Sequence, residues 1–161
     1  MSVIPGPRLT GQQAGRAWWS TIRNGWLCGR RLVLRRAPGS KHFDRRVTDA
    51  VRSGSWRIEH REPSFRHKAV FVFEPNPFEY EYELLSDGRE VVGTHQGTRT
   101  VSSLRWDGEA LVCRWRTQLS DSESEISFRY ELLDAGRRLR ATEQVRGTDH
   151  DQDNIWIFDR G

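Results

Sequence analysis

The sequence predicts a mainly β fold, an antiparallel barrel curled from a meander of strands. Three observations predict it. First, Leu111, Cys113 and Trp115, and then Ile126, Phe128, Tyr130 and Leu132, alternate with Arg114, Arg116, Arg129 and Glu131. Strand side chains point to opposite faces with period 2, so these segments have one apolar and one charged face, as in a sheet wetted on one side. Second, short links such as Asp87-Gly88, Asp107-Gly108 and Ala135-Gly136 separate the segments at hairpin spacing. Third, nine such segments follow position 54, about the number a small closed barrel uses.

Taken in order, residues 1–9, with Pro5 and Pro7, are expected to form an irregular tail. Thr10 suits the cap of a helix over 11–23, with Ala14, Trp18 and Ile22 at four-residue intervals and Asn24-Gly25 as its stop. So short a helix needs a partner, and Trp18 and Trp19 would lie against the outside of the barrel. Leu32-Val33-Leu34 is compatible with a strand within 26–36, ended by Pro38-Gly39. A second helix is predicted over 44–52, with Phe43, Val47, Ala50 and Val51 as its stripe and Gly54 closing it. Strands are then predicted near 55–60, 67–74, 77–84, 90–95, 99–105, 110–117, 124–132, 138–146 and 154–159. Val70-Phe71-Val72-Phe73 and Ile155-Trp156-Ile157-Phe158 are apolar on both faces, and the N-terminal helices are available to cover them. The organisation expected is therefore a basic segment over 1–53 and a barrel over 54–161.

The 161 residues suit one domain able to bury roughly two-thirds of its unfolded surface. Cys28 and Cys113 are the two cysteines and form no CxxC pair, which argues against a disulfide framework or a thiolate zinc site. No secretory h-region or membrane-spanning run occurs, so a cytoplasmic protein without a membrane partner is expected. Residues 1–50 hold ten Lys or Arg against two acids, while the remainder is mildly acidic. A basic arm of this kind can bind nucleic acid or an anionic membrane by displacing counterions. No RNP-like motif, zinc-finger spacing or helix-turn-helix pattern accompanies the charge, so a solvated helical surface is the reading adopted and nucleic acid is not the expected partner.

Gly54-Ser55-Trp56-Arg57-Ile58, followed by Pro63-Ser64-Phe65, resembles the opening of small bacterial lipocalin-like, calycin-type barrels. Ser86-Asp87-Gly88-Arg89-Glu90, Val101 to Gly108 and Leu111-Val112 are similar to that family's central hairpins. Tyr130-Glu131-Leu132, Gly136 to Leu139 and Trp156 to Arg160 are similar to its closing strands. The resemblance spans about residue 54 to the end and implies a barrel that binds a small apolar molecule. It also implies that Arg160 stacks on Trp56, a guanidinium over an indole worth roughly 0.5–2 kcal/mol.

Polar residues on an apolar strand face are the candidates for chemistry, because burying one without a partner costs about 1–3 kcal/mol. Glu143, between Ala141 and Val145, is such a residue. It could hydrogen-bond a ligand or act as a general acid or base with a raised pKa; alternatively it reaches water at the rim or bonds an Arg or Tyr. His60 shares a face with Trp56 and Ile58, and His95 with Val91 and Gly93, so either could pair with a carboxylate across the barrel. His95 has the chemistry of a haem ligand but no second supporting motif, and no cofactor is expected. Tyr80 and Tyr82, with Leu84, alternate with Glu79, Glu81 and Glu83. With Cys113, Trp115, Phe128 and Tyr130 they would line a flat, aromatic interior, or else simply fill it. Asp149 to Asn154 begins like a calcium loop, but Asn154 stands where the turn glycine belongs and Arg160 where the bidentate Glu belongs, so no metal is expected.

The function these features predict is binding of a small apolar or aromatic molecule inside the barrel. A cofactor-independent cyclase or isomerase using Glu143, His60 or His95 for proton transfer is the alternative, and nucleic-acid binding through the basic segment a second. The sequence assigns no oligomeric state.

Overall fold

In the computed structural model of the chain, the residues described are 30–33, 55–71, 77–95, 97–118, 122–147 and 151–159. They form ten strands: β1 (Arg30–Val33), β2 (Ser55–Arg61), β3 (Ser64–Phe71), β4 (Phe78–Leu85), β5 (Val91–His95), β6 (Thr98–Asp107), β7 (Ala110–Gln118), β8 (Glu123–Leu133), β9 (Arg138–Arg146) and β10 (Gln152–Asp159). All pairings are antiparallel. The predicted helices at 11–23 and 44–52, and Trp18, Trp19 and Arg160, lie outside the described residues. The basic segment contributes β1, whose Leu32 lies opposite Trp156.

Among the described residues the predicted closed barrel is not formed. Among the described residues the strands make a seven-stranded sheet in the order β1-β10-β9-β8-β7-β6-β5 and a three-stranded sheet in the order β2-β3-β4. Hydrogen bonding does not pass from β4 to β5, because the link between them turns instead toward β6. Asp87 bridges Arg105, and the Gly88 amide donates to the Leu104 carbonyl at 2.8 Å. Gly88 makes this turn at φ 79°, a left-handed conformation that suits a residue without a Cβ. Strand β5 is left as an edge, with Val91 49% and Val92 58% exposed.

The two sheets nonetheless share one core. Trp56, Ile58, Phe65, Ala69 and Leu84 come from the small sheet, and Leu104, Leu111, Cys113, Phe128, Tyr130, Leu139, Ala141, Trp156 and Phe158 from the large one. Period-2 alternation places every one of them on the inward side of its strand. Trp56 ties the layers together: its ring centroid lies 4.5 Å from that of Phe158, and 5.7 Å from those of Phe128 and Trp156. The outward face is charged. Lys68 pairs with Glu79, Arg66 with Glu81 at 3.0 Å, and Arg140 with Glu131 at 2.9 Å.

The third strand begins at Ser64, not at 67 as predicted, and pairs Phe65 with Leu84, His67 with Tyr82 and Ala69 with Tyr80. Its start follows the turn at Glu62-Pro63, and Phe65, His67 and Ala69 are the inward, buried set. Val72 and Phe73 lie outside the described residues.

Candidate functional site

The inward residues of β3, β4, β7 and β8 bring five of the six predicted ligand-binding side chains into ring contact. Tyr80 and Tyr82 stack at 6.2 Å with an interplanar angle of 5°. Trp115 meets Tyr82 edge-on at 4.7 Å and Phe128 at 5.8 Å, and Phe128 stacks on Tyr130 at 5.7 Å. Cys113, the sixth, is buried among them, and burial pushes its thiol pKa well up against the smaller opposing pull of Tyr82. A thiol held protonated is a packing residue, not a nucleophile.

A polar chain runs through these rings. The Tyr82 hydroxyl lies 2.8 Å from His67 Nδ1 and 3.1 Å from the Tyr130 hydroxyl. His67 was not among the predicted site residues, yet it is wholly buried and ringed edge-on by Trp56 at 4.8 Å, Tyr82 at 5.1 Å and Tyr80 at 5.5 Å. Burial lowers its pKa to about 3, so the ring is neutral at physiological pH. Burial likewise holds Tyr82 and Tyr130 well above the ordinary phenol range, and both stay protonated.

Glu143 faces inward, as alternation predicts, opposite Phe128 on β8 and Asn154 on β10. Its Oε2 accepts from Asn154 Nδ2 at 2.8 Å and from Trp156 Nε1 at 3.0 Å. Among the described residues these two donors are its hydrogen-bond partners, and neither is the Arg or Tyr considered from sequence. Burial raises its pKa, and the two hydrogen bonds oppose that shift. The carboxylate in turn adds to the upward shift that burial imposes on Tyr80.

Among the inward residues Glu143, Tyr80, Tyr82, Trp115 and Ile126 each keep part of their accessible surface, as Trp106 and Leu132 do farther along β6 and β8. Burial still shifts the two tyrosines and the glutamate as it does deep groups.

His60 does not join this group. His60 is buried, but its Nε2 lies 3.2 Å from Oε2 of Glu62, and it packs edge-on against Trp106 at 5.7 Å. Glu62 also accepts from Trp106 Nε1 at 3.2 Å and from Ser86 Oγ at 2.7 Å. The His60 carboxylate partner is thus two residues along its own chain, at a junction tying the β2–β3 turn to β6. Burial lowers the His60 pKa against the opposing pull of Glu62. His95 ends the edge strand β5, its backbone paired with Thr98. In the order of the large sheet, β5 and β9 are separated by β6, β7 and β8. Among the described residues no three His, Cys, Asp or Glu side chains come together as a metal site would require, and no helix there is long and apolar enough to cross a membrane.

A scan against known protein families finds no match, and a search of curated proteins finds none. Solved structures do resemble the fold. A secretory abundant heat soluble protein of Ramazzottius varieornatus aligns with a TM-score of 0.51 at 13% identity, covering 85% of this chain and 93% of that one. A protein described as the REP1-NXSQ fatty acid transporter aligns at 0.48 and 15% identity, covering 87% and 96%. Secretory abundant heat soluble protein 4 of Ramazzottius varieornatus aligns at 0.47 and 12%, covering 88% and 96%. The first of these likenesses speaks to the fold alone.

Proposed function

We propose that this protein binds a small apolar or aromatic molecule between its two sheets. The observation that supports the reading most is the set of inward aromatic side chains, Tyr80, Tyr82 and Trp115, that keep accessible surface within the shared core. A space walled by rings and fixed polar groups is the ordinary composition of a small-molecule site. The rings present π-faces and edges to a flat guest, and the His67-Tyr82-Tyr130 chain holds Tyr82 in place.

Titrating the full chain with a panel of polycyclic and aromatic compounds, followed by tryptophan fluorescence and calorimetry, tests this. Saturable, one-site binding by a member of the panel is expected. Trp115→Leu should weaken it about fivefold, the equivalent of roughly 1 kcal/mol for a lost aromatic contact. Failure of every compound to bind saturably would reject the reading.

A further inference from the structure

We infer that the space beside Glu143 selects a planar cation, an amine or protonated nitrogen heterocycle on an aromatic frame, over a carboxylate of the same shape. This rests on the ligand-binding reading above and adds a charge preference to it.

The first ground is the charge inventory of the inward face. Its titratable members among the described residues are His60, His67, Tyr80, Tyr82, Cys113, Tyr130 and Glu143. Burial keeps the histidines neutral and the phenols and thiol protonated. Glu143 has two donors, Asn154 Nδ2 and Trp156 Nε1, on its carboxylate, and these favour its charged form against the upward pull of burial. Every strand Lys or Arg whose side chain is described alternates out of phase with the inward residues, and several are engaged outside, as Lys68 with Glu79 and Arg146 with Asp153 are. Arg30 stands by register opposite Phe158, four residues along β10 from Asn154, or about 13 Å at strand rise. An anionic ligand would therefore meet a carboxylate with no described cation to offset it.

The second ground is geometry. Both donors reach Oε2, which leaves Oε1 without a hydrogen bond among the described residues. Glu143 lies opposite Phe128 in register, Phe128 meets Trp115 edge-on, and Trp115, Tyr82 and Tyr80 follow one another in ring contact. Aromatic faces attract cations through the ring quadrupole, and the attraction grows where water is excluded. A carboxylate oxygen and such faces bordering one space form a site for positive charge.

Three probes sharing one ring system test this on the full chain: 1-naphthylmethylammonium, 1-naphthalenemethanol and 1-naphthoate. The ammonium should bind at least about tenfold more tightly than the alcohol, a difference of about 1.4 kcal/mol, and the naphthoate should bind most weakly. In Glu143→Gln, checked for folding by near-ultraviolet circular dichroism, the ammonium and the alcohol should come within about twofold of each other. The ranking on the wild-type chain decides the matter without the variant. Equal or tighter binding of the naphthoate, or a cation preference that survives Glu143→Gln, overturns the inference. If the alcohol binds and the ammonium gains nothing, the charge preference alone is wrong; if none of the three binds, the inference falls, and the ligand-binding reading is decided separately by the wider panel.

Discussion

At one end of the space between the sheets Phe65, Leu111, Tyr130, Leu139 and Ala141 are sealed from solvent, whereas further along the large sheet Trp115, Ile126 and Glu143 retain accessible surface. Trp115 and Leu111 lie on one strand, as do Ile126 and Tyr130, and Glu143 and Ala141. Alternation decides which way each of these points; position along the strand decides whether it is sealed. The sealed end contributes stability, and the accessible end is where a guest can be met without dismantling the core.

Truncation gives the widest separation between the two ends. Phe65→Ala should cost about 3–5 kcal/mol, the usual range for a fully buried aromatic, while Trp115→Ala, already part exposed, should cost about 2 kcal/mol or less. Urea denaturation of both variants measures the gap, and equal costs would show that the two ends are packed alike.

Acid should strike the core through His67. The folded state keeps this ring neutral, with a pKa lowered to about 3, while the unfolded chain protonates it near 6.5. The stability contributed by the neutral ring is complete above pH 6.5 and is lost progressively as pH falls toward 3. Between pH 7 and pH 5 the loss should be about 2 kcal/mol. His67→Gln, compared with wild type by urea denaturation at both pH values, should remove that increment. Glu143 runs the opposite way: its pKa is raised, so its contribution is present at low pH and fades as pH climbs through the folded value.

A smaller effect is expected at the junction outside the aromatic interior. Glu62→Ala deprives Trp106 Nε1 and Ser86 Oγ of their acceptor, and because Glu62 is half exposed, water can replace it in part. The expected cost is about 1 kcal/mol, read as a shift in thermal midpoint, with aromatic-probe binding unchanged. The smallest effect belongs to the outer face, where Lys68→Ala should change stability by no more than about 0.5 kcal/mol.

Most strands were legible because their inward and outward residues differ in kind, as Leu111, Cys113 and Trp115 differ from Arg114 and Arg116. The register of β3 was harder, since the apolar run from Val70 suggests a strand centre while His67, an inward residue, breaks the apolar pattern of Phe65 and Ala69. The signal that could have found it is the alternation Phe65, His67, Ala69 set against the mirrored Tyr80, Tyr82, Leu84. Closure of the barrel was not legible at all. It depends on whether the link after β4 bonds to β5 or to β6, a choice made by Asp87 and Gly88 meeting Arg105 and Leu104 from a distant part of the chain. The aromatic group of the candidate site followed from period-2 reasoning, whereas the donors to Glu143, and Trp106 and Ser86 as donors to Glu62, are separated from these carboxylates by 11 to 44 positions and leave no local pattern.

The interruption between β4 and β5 sets an order of opening. Among the described residues each of those strands has a hydrogen-bonded neighbour on one flank only, whereas β8 is held on both by β7 and β9. Backbone amides at such a seam trade their protons for deuterium through small local openings, while those of a strand clamped on both flanks wait for near-global unfolding. Isotope uptake should thus begin at β4 and β5 and reach β8 last, marking the seam as the line along which the molecule breathes.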